Sequence, residues 1–217
     1  MHVLLLRPTL LLAVLAAGCS SDDDSSSDTA RVVQLGAPGE TSRVLSSAEV
    51  ADLDAPSYTD ADVAFVQGMI HHHHQALTMT ALVDARTERA DLPLLAERME
   101  VSQTDEIALL EAWLTERGEA MPDDHRHRDP ATMMPGMLTE DELARLEAAT
   151  GRAFDELFLQ YMIRHHEGAL VMIQALFDEG VGGQEPAVFQ LLQDMNGDQA
   201  IEISRMRQLL AEVAAGR

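Results

Sequence analysis

FVQGMIHHHHQALTM, residues 65–79, and FLQYMIRHHEGALVM, residues 158–172, are the same segment written twice, 93 positions apart. Nine of the fifteen positions coincide, including Phe, Gln, Met, Ile, two His, Ala, Leu and Met. A run of four histidines on its own resembles a purification tag, but this one is internal and flanked by apolar residues. Asp62 lands on Asp155, and LSSAEVADL (residues 45–53) lands on LTEDELARL (residues 138–146) in the same register. Further along, the offset becomes 96, as a slightly longer loop requires. Met99, Gln103, Glu106, Ile107 and Leu110 then meet Met195, Gln199, Glu202, Ile203 and Met206. Self-similarity at a fixed spacing marks a duplicated structural unit. Here the unit is a short helix, a long His-bearing helix and a second long helix.

Helix punctuation supports this division. Thr59 with Asp62 and Thr139 with Glu142 have the spacing of capping boxes. Asp91 suits an N-cap, Gly118 a helix end and Pro186 a first helical turn, and Gly180, Gly182 and Gly183 interrupt the chain between them. Long helices are expected at residues 60–86, 92–117, 152–179 and 186–213. Ala, Leu, Met, Glu, Gln and Arg dominate the chain, and all are good helix formers. Two amphipathic hairpins bury their apolar faces best against each other. The expected fold is all-α: a four-helix bundle with a pseudo-twofold axis, each hairpin preceded by a short helix. Repeat 1 spans residues 45–117, a connector 118–137 and repeat 2 138–213.

The seam of the second long helix runs Met99, Gln103, Glu106, Leu110, Trp113. The fourth repeats it with Met195, Gln199, Glu202, Met206, Leu209. Both place a Gln and a Glu in the middle of an apolar stripe, and a buried lone carboxylate is costly unless paired or coordinated. The His helices supply partners: Met69, His72/His73, Ala76 and Met79 share one face, as do Met162, His165/His166, Ala169 and Met172. Closing the bundle gathers His72, His73, His165, His166, Glu106 and Glu202, a donor set suited to a transition metal. One His beside one Glu is more often a structural hydrogen-bonded pair than a ligand set; the duplication favours metal. His73 and His166 are the favoured inward members of each pair. His71 and His74 are replaced by Arg164 and Glu167 in the second copy and read as auxiliary.

The methionines Met69, Met79, Met162 and Met172 fit core packing or auxiliary ligation, and Gln103 and Gln199 are auxiliary candidates as well. The connector carries Met121, His125, His127, Met133, Met134 and Met137 in a Pro-rich stretch. Thioether with imidazole suits Cu(I); a plain acidic linker is the alternative.

The chain of 217 residues has a formal charge of −22, and all its basic side chains are Arg. Such a surface repels phosphate backbones, which argues against nucleic-acid partners, and attracts cations. Residues 1–19 carry an early Arg7, a short apolar run and LAAGC, and read as a signal peptide ending in a lipobox. Cys19, the single cysteine, is then the lipidated anchor on the outer side of a cell membrane. One cysteine excludes an intramolecular disulfide framework and a Cys-rich zinc site. Residues 20–44 begin SSDDDSSSDTA (residues 20–30) and read as a disordered acidic tether.

The paired M-I-x-H-H-x-x-A-L-x-M motifs, each followed by a Q-x-x-E-I helix, together with MMPGMLTEDELARL, resemble the ferritin-like domain-of-unknown-function family numbered 305. The resemblance covers residues 45–213. It implies a bacterial, exported, often lipid-anchored protein, with copper binding and copper tolerance associated with some members. Carried onto this chain, the matching positions are His72, His73, His165 and His166 with Glu106 and Glu202 opposite; the added His71 and His74 depart from the motif. The expectation is an envelope metal-binding protein, with copper as the metal and zinc or iron as alternatives. A ferritin-like di-metal oxidase is a second possibility. It is disfavoured because di-iron bundles use more carboxylates. A metal-free structural or interaction bundle is the third. No nucleophile arrangement, phosphate-binding loop or covalent haem motif is present.

Overall fold

The computed structural model describes residues 32–34, 41–51, 55–122, 133–178, 180 and 182–216. The leader with Cys19, most of the tether, and His125 and His127 of the connector lie outside the described residues. The chain divides into two compact units, Met1–Asp54 and Ala55–Arg217.

In the first unit, β1 (Val33–Gln34) pairs antiparallel with β2 (Arg43–Val44), with Val33 opposite Val44. A short helix α1 (Ser47–Ala51) follows, begun by Ser46, whose hydroxyl accepts from the Glu49 backbone N–H. Paired backbone thus starts before Leu45, inside the span expected to be tether. The β-branched residues Val33 and Val44, facing each other across the pair, favour extended structure over the polar composition around them.

The second unit is helical: α2 (Asp60–Thr80), α3 (Val83–Arg86), α4 (Leu92–Arg117), α5 (Glu140–Ala148), α6 (Gly151–Asp178) and α7 (Pro186–Ala214). The hairpins α2–α4 and α6–α7 pack internally, and α2 meets α6 while α4 meets α7. The four long helices therefore form a closed ring, the expected bundle. Both capping boxes are present, on Thr59 with Asp62 and on Thr139 with Glu142. Gly118 ends α4 with φ 70°, and Pro186 opens α7 behind an N-cap at Glu185.

Two expectations need correction. The first long helix stops at Thr80, and residues 83–86 form the separate α3. Thr78 and Thr80 donate their hydroxyls back to the carbonyls of His74 and Leu77, and Leu82 N–H turns back to Met79. Such back-bonding competes with the regular ladder. Asp91 stands at the N-cap of α4, but its side chain makes no capping bond; the carboxylate binds the guanidinium of Arg89 at 2.6 Å instead.

The pseudo-twofold relation is written into the hairpin loops. Asp62, fully buried at the start of α2, accepts the Gly183 N–H at 2.5 Å. Asp155, its counterpart at the start of α6, accepts the Thr87 hydroxyl at 2.6 Å. Positions 87 and 183 both lie in the hairpin loops that lead into α4 and α7. Each His-bearing helix thus begins by fastening the hairpin loop of the other repeat. The apolar core forms two clusters. Met79, Met99, Phe158, Met162 and Met206 belong to one; Met69, Leu110, Trp113, Ile173 and Met195 belong to the other.

Candidate metal centre

Between those clusters lies a polar layer. On α4 the order along the helix is Met99, Gln103, Glu106, Leu110; on α7 it is Met195, Gln199, Glu202, Met206. Every one of these eight side chains is buried. On α2 and α6 the same level is held by His72/His73 and His165/His166, all at most 1% exposed. Ala76 and Ala169, one turn on, are small enough to leave the imidazoles space.

The two repeats make the same contact. His73 Nε2 lies 2.5 Å from Glu106 Oε2, and His166 Nε2 lies 2.6 Å from Glu202 Oε2. The expected inward members of the His pairs are the ones that meet the carboxylates. His72 and His165 form the link between the halves, with ring centroids 3.8 Å apart and planes tilted by 38°. Their neighbours follow at 6.5 Å (His72 to His73) and 6.1 Å (His165 to His166). Four imidazoles therefore gather across the α2–α6 interface, His72 against His165, with His73 and His166 each meeting a carboxyl group.

Burial governs the protonation of this layer. It pushes His72 and His73 down to about 3, aided by repulsion between neighbouring imidazolium charges, and holds His165 well below the ordinary histidine range. It pushes Glu106 up to about 8, with the nearby charges of Glu202 and Asp198 acting in the same direction. At neutral pH the His72, His73 and His165 rings are uncharged, the state in which imidazole can ligate a metal.

Several buried atoms of the layer have no hydrogen-bond partner: His73 Nδ1, His166 Nδ1, His165 Nε2, Gln103 Oε1, Gln199 Oε1 and Glu106 Oε1. Four of them are two repeat-related pairs. Buried polar atoms are almost always satisfied, so a twice-repeated orphan set demands a physical reason. The donor chemistry, imidazole nitrogen with amide and carboxylate oxygen, fits a borderline transition metal. A carboxylate on one ring nitrogen, leaving the other free, is the usual way of orienting a ligating histidine. Among the described residues, however, no three His, Cys, Asp or Glu side chains stand close enough together to hold an ion as they are.

The remaining candidates separate clearly. Met69, Met79 and Met162 are fully buried in the apolar clusters. Met121 is exposed. Met133, Met134 and Met137 are half-buried, as is Met172. Met134 and Met172 converge on Gly68: a Cβ there would stand 3.1 Å from Met134 Sδ and 3.7 Å from Met172 Cε.

The end of the connector has a role the sequence did not disclose. His72 Nε2 donates to the Pro135 carbonyl at 3.0 Å, and the Gln75 amide clamps Leu138 through both its carbonyl (3.0 Å) and its N–H (2.7 Å). The sole signal was Gly136, with φ 81°, beside Pro135.

A helical bundle with one duplicated His/Glu layer defines the class of protein. The chain belongs to the DUF305 family: the model for that domain of unknown function matches residues 34–210. A DUF305 fragment from Deinococcus radiodurans is 30% identical, with a TM-score of 0.64, covering 72% of this chain and 99% of that one. A predicted secreted DUF305 protein from Streptomyces coelicolor is 28% identical with a TM-score of 0.62, covering 71% and 94%. CopM in a Cu(II)-bound form is 25% identical with a TM-score of 0.53, covering 70% and 96%. CopM in a Cu(I)-bound form, at 24% identity and a TM-score of 0.54 over 70% and 96%, shares the fold. No curated protein matches the chain. Among the described residues no helix is long and apolar enough to cross a membrane.

Proposed function

We propose that this chain is an exported, lipid-anchored protein of the cell envelope that binds copper to buffer it, confer tolerance or hand it on. The observation that carries the metal reading is the repeated set of buried, unpartnered donor atoms around His73, His166, Gln103 and Gln199. In this reading His73 and His166 offer Nδ1 to the ion while Glu106 and Glu202 hold Nε2 and set the ring orientation. His72 and His165 stand between them, and His165 offers its free Nε2. Copper is favoured over zinc or iron by the half-buried Met133, Met134, Met137 and Met172 of the connector and α6, since thioethers select Cu(I). The copper-bound forms of CopM, which share the fold, lend weight. Anchoring rests on the lipobox-like segment ending at Cys19. Export rests on the same segment, with weight from the Streptomyces relative.

Equilibrium dialysis against Cu(I), Cu(II), Zn(II) and Fe(II) tests this. Copper is expected to be retained with a Kd below about 1 μM, a binding free energy beyond about −8 kcal/mol, and to be lost in a His73→Ala, His166→Ala double variant. Retention weaker than that, or a variant that binds as the parent does, defeats the reading.

One observation favours a metal-free structural bundle instead. The two short His–Glu contacts already pair the layer, and no three-ligand group is assembled among the described residues. In that case the pairs set helix register, and the melting temperature is indifferent to copper and to chelators.

A further inference from the structure

The buried layer has a doorway. Between α4 and α7 lies a cleft of about 310 Å³ whose lining includes Asp105, Glu106, Asp194 and Asp198, with Ser102 and Met195. Glu106 and Met195 are its buried members; the three aspartates are exposed at its rim. Glu106 belongs both to this cleft and to the His layer behind it, where its Oε2 meets His73. Its other oxygen is buried and without a partner, and the residue is 9% exposed.

The charge at this rim is uncompensated. Asp194 and Asp198 stand one turn apart on α7, a like-charge spacing that weakens a helix. Asp105 faces them from α4. Among the described residues no Arg or His forms an ion pair with any of the three, although Arg residues elsewhere pair with Glu142, Glu156, Glu167 and Glu185. A concave site with one sign of charge concentrates counter-ions at its mouth and speeds their capture.

We infer that the α4–α7 cleft is the entry site for hydrated divalent cations, which Asp105, Asp194 and Asp198 collect and Glu106 passes to the imidazole layer. This rests on the metal reading above and adds the route to it. The aspartates act at a distance through their field; Glu106, through its unpartnered Oε1, is the group the ion meets between the rim and the imidazoles.

The test is stopped-flow mixing of the full chain with Cu(II), read by quenching of Trp113, the single tryptophan, seven residues beyond Glu106 on α4. The variant is Asp194→Asn with Asp198→Asn, which removes repulsion within α7 and so spares folding. Glu140→Gln with Asp141→Asn, at the exposed start of α5, removes the same charge elsewhere. At low ionic strength the cleft variant is expected to bind about tenfold more slowly, with the gap closing in about 0.5 M salt. The control should follow the parent, and copper stoichiometry at equilibrium should be unchanged in both. A cleft variant as fast as the parent overturns the route alone. Lost stoichiometry overturns it too, since the aspartates would then be ligands. A parent that retains no copper in dialysis overturns the metal reading first and the route with it.

Discussion

Replacing glycine by alanine at two positions inside long helices should have opposite effects. In an exposed helix interior the change stabilises by about 1 kcal/mol, because glycine loses more backbone entropy on folding. Gly197 on α7 is such a site: a Cβ there meets nothing within 4 Å. Gly168 on α6 is not. A Cβ there would stand 2.6 Å from Gly136 Cα and would press still harder on the Pro135 carbonyl. Ordinary contact needs about 3.5 Å or more, so the connector must retreat by about 1 Å. That retreat stretches His72 Nε2 to Pro135 O, and both Gln75–Leu138 bonds, from 2.7–3.0 Å beyond bonding range. Three bonds at about 1 kcal/mol each outweigh the entropic gain, leaving Gly168→Ala destabilised by about 2 kcal/mol. Gly197→Ala should gain about 1 kcal/mol. Urea unfolding followed by far-UV ellipticity measures both, and the melting temperatures should move by about −4 to −8 °C and +2 to +4 °C. A Gly168→Ala protein as stable as the parent would refute the packing of the connector against α6.

The loop locks should be unequal in strength. Asp62 accepts from Gly183 N–H, Thr59 N–H and the Thr59 hydroxyl, whereas Asp155 accepts from Thr87. Asp62→Ala should therefore cost about 3 kcal/mol and Asp155→Ala about 1–2 kcal/mol in urea midpoints; equal costs would remove the asymmetry claimed for the locks. The buried layer also predicts a lopsided pH profile for the metal-free protein, measured as melting temperature in chelator. His72 and His73 are depressed to about 3 and His165 lies well below its ordinary range, so their contribution is complete above about 6.5 and is lost as pH falls below it. Glu106 is raised to about 8, so its contribution is present below about 4.5 and is lost as pH rises through about 8. Between about 4.5 and 6.5 the depressed imidazoles oppose one carboxyl. Stability should then climb by at least about 1 kcal/mol per pH unit before declining towards pH 8. A profile flat from 4.5 to 6.5 would contradict the burial of uncharged imidazoles.

Much of this architecture could be read because the chain states it twice. One Glu in an apolar seam is ambiguous; Glu106 and Glu202 at matching positions, each opposite a His pair, are not. The same duplication singled out His72 and His73 from the four-residue run, and the structure buries those two while leaving His74 exposed. What escaped were features set by contacts between distant segments. The break after Thr80 depends on hydroxyls competing for local carbonyls. The missing capping bond of Asp91 depends on where the Arg89 guanidinium comes to rest. The carbonyl of Pro135 on His72 depends on a segment 63 residues further along the chain. None of these leaves a periodic trace.

Where the two copies disagree is as informative as where they agree. The connector occurs once, so it cannot respect the twofold relation, and the positions it touches must differ between repeats. Gly68 corresponds to Tyr161, His71 to Arg164 and Gln75 to Gly168, and these fall at i, i+3 and i+7 on one stripe of each helix. The structure gives each difference a cause. Gly68 leaves space for Met134 Sδ and Met172. Gln75 clamps Leu138, while its counterpart Gly168 lets Pro135 and Gly136 lie directly on α6. Arg164 takes both carboxylate oxygens of Glu142 in α5, at 2.7 and 2.8 Å. The matched stripe faces the twofold axis and builds the His/Glu layer; the mismatched stripe faces the connector and α5. His72 is the residue at which the two requirements meet. It is matched by His165 and stacked on it, yet its Nε2 is committed to the single connector. An ion bound to His72 Nε2 would have to displace Pro135, so the two His-bearing helices cannot serve it identically, whatever their sequence symmetry.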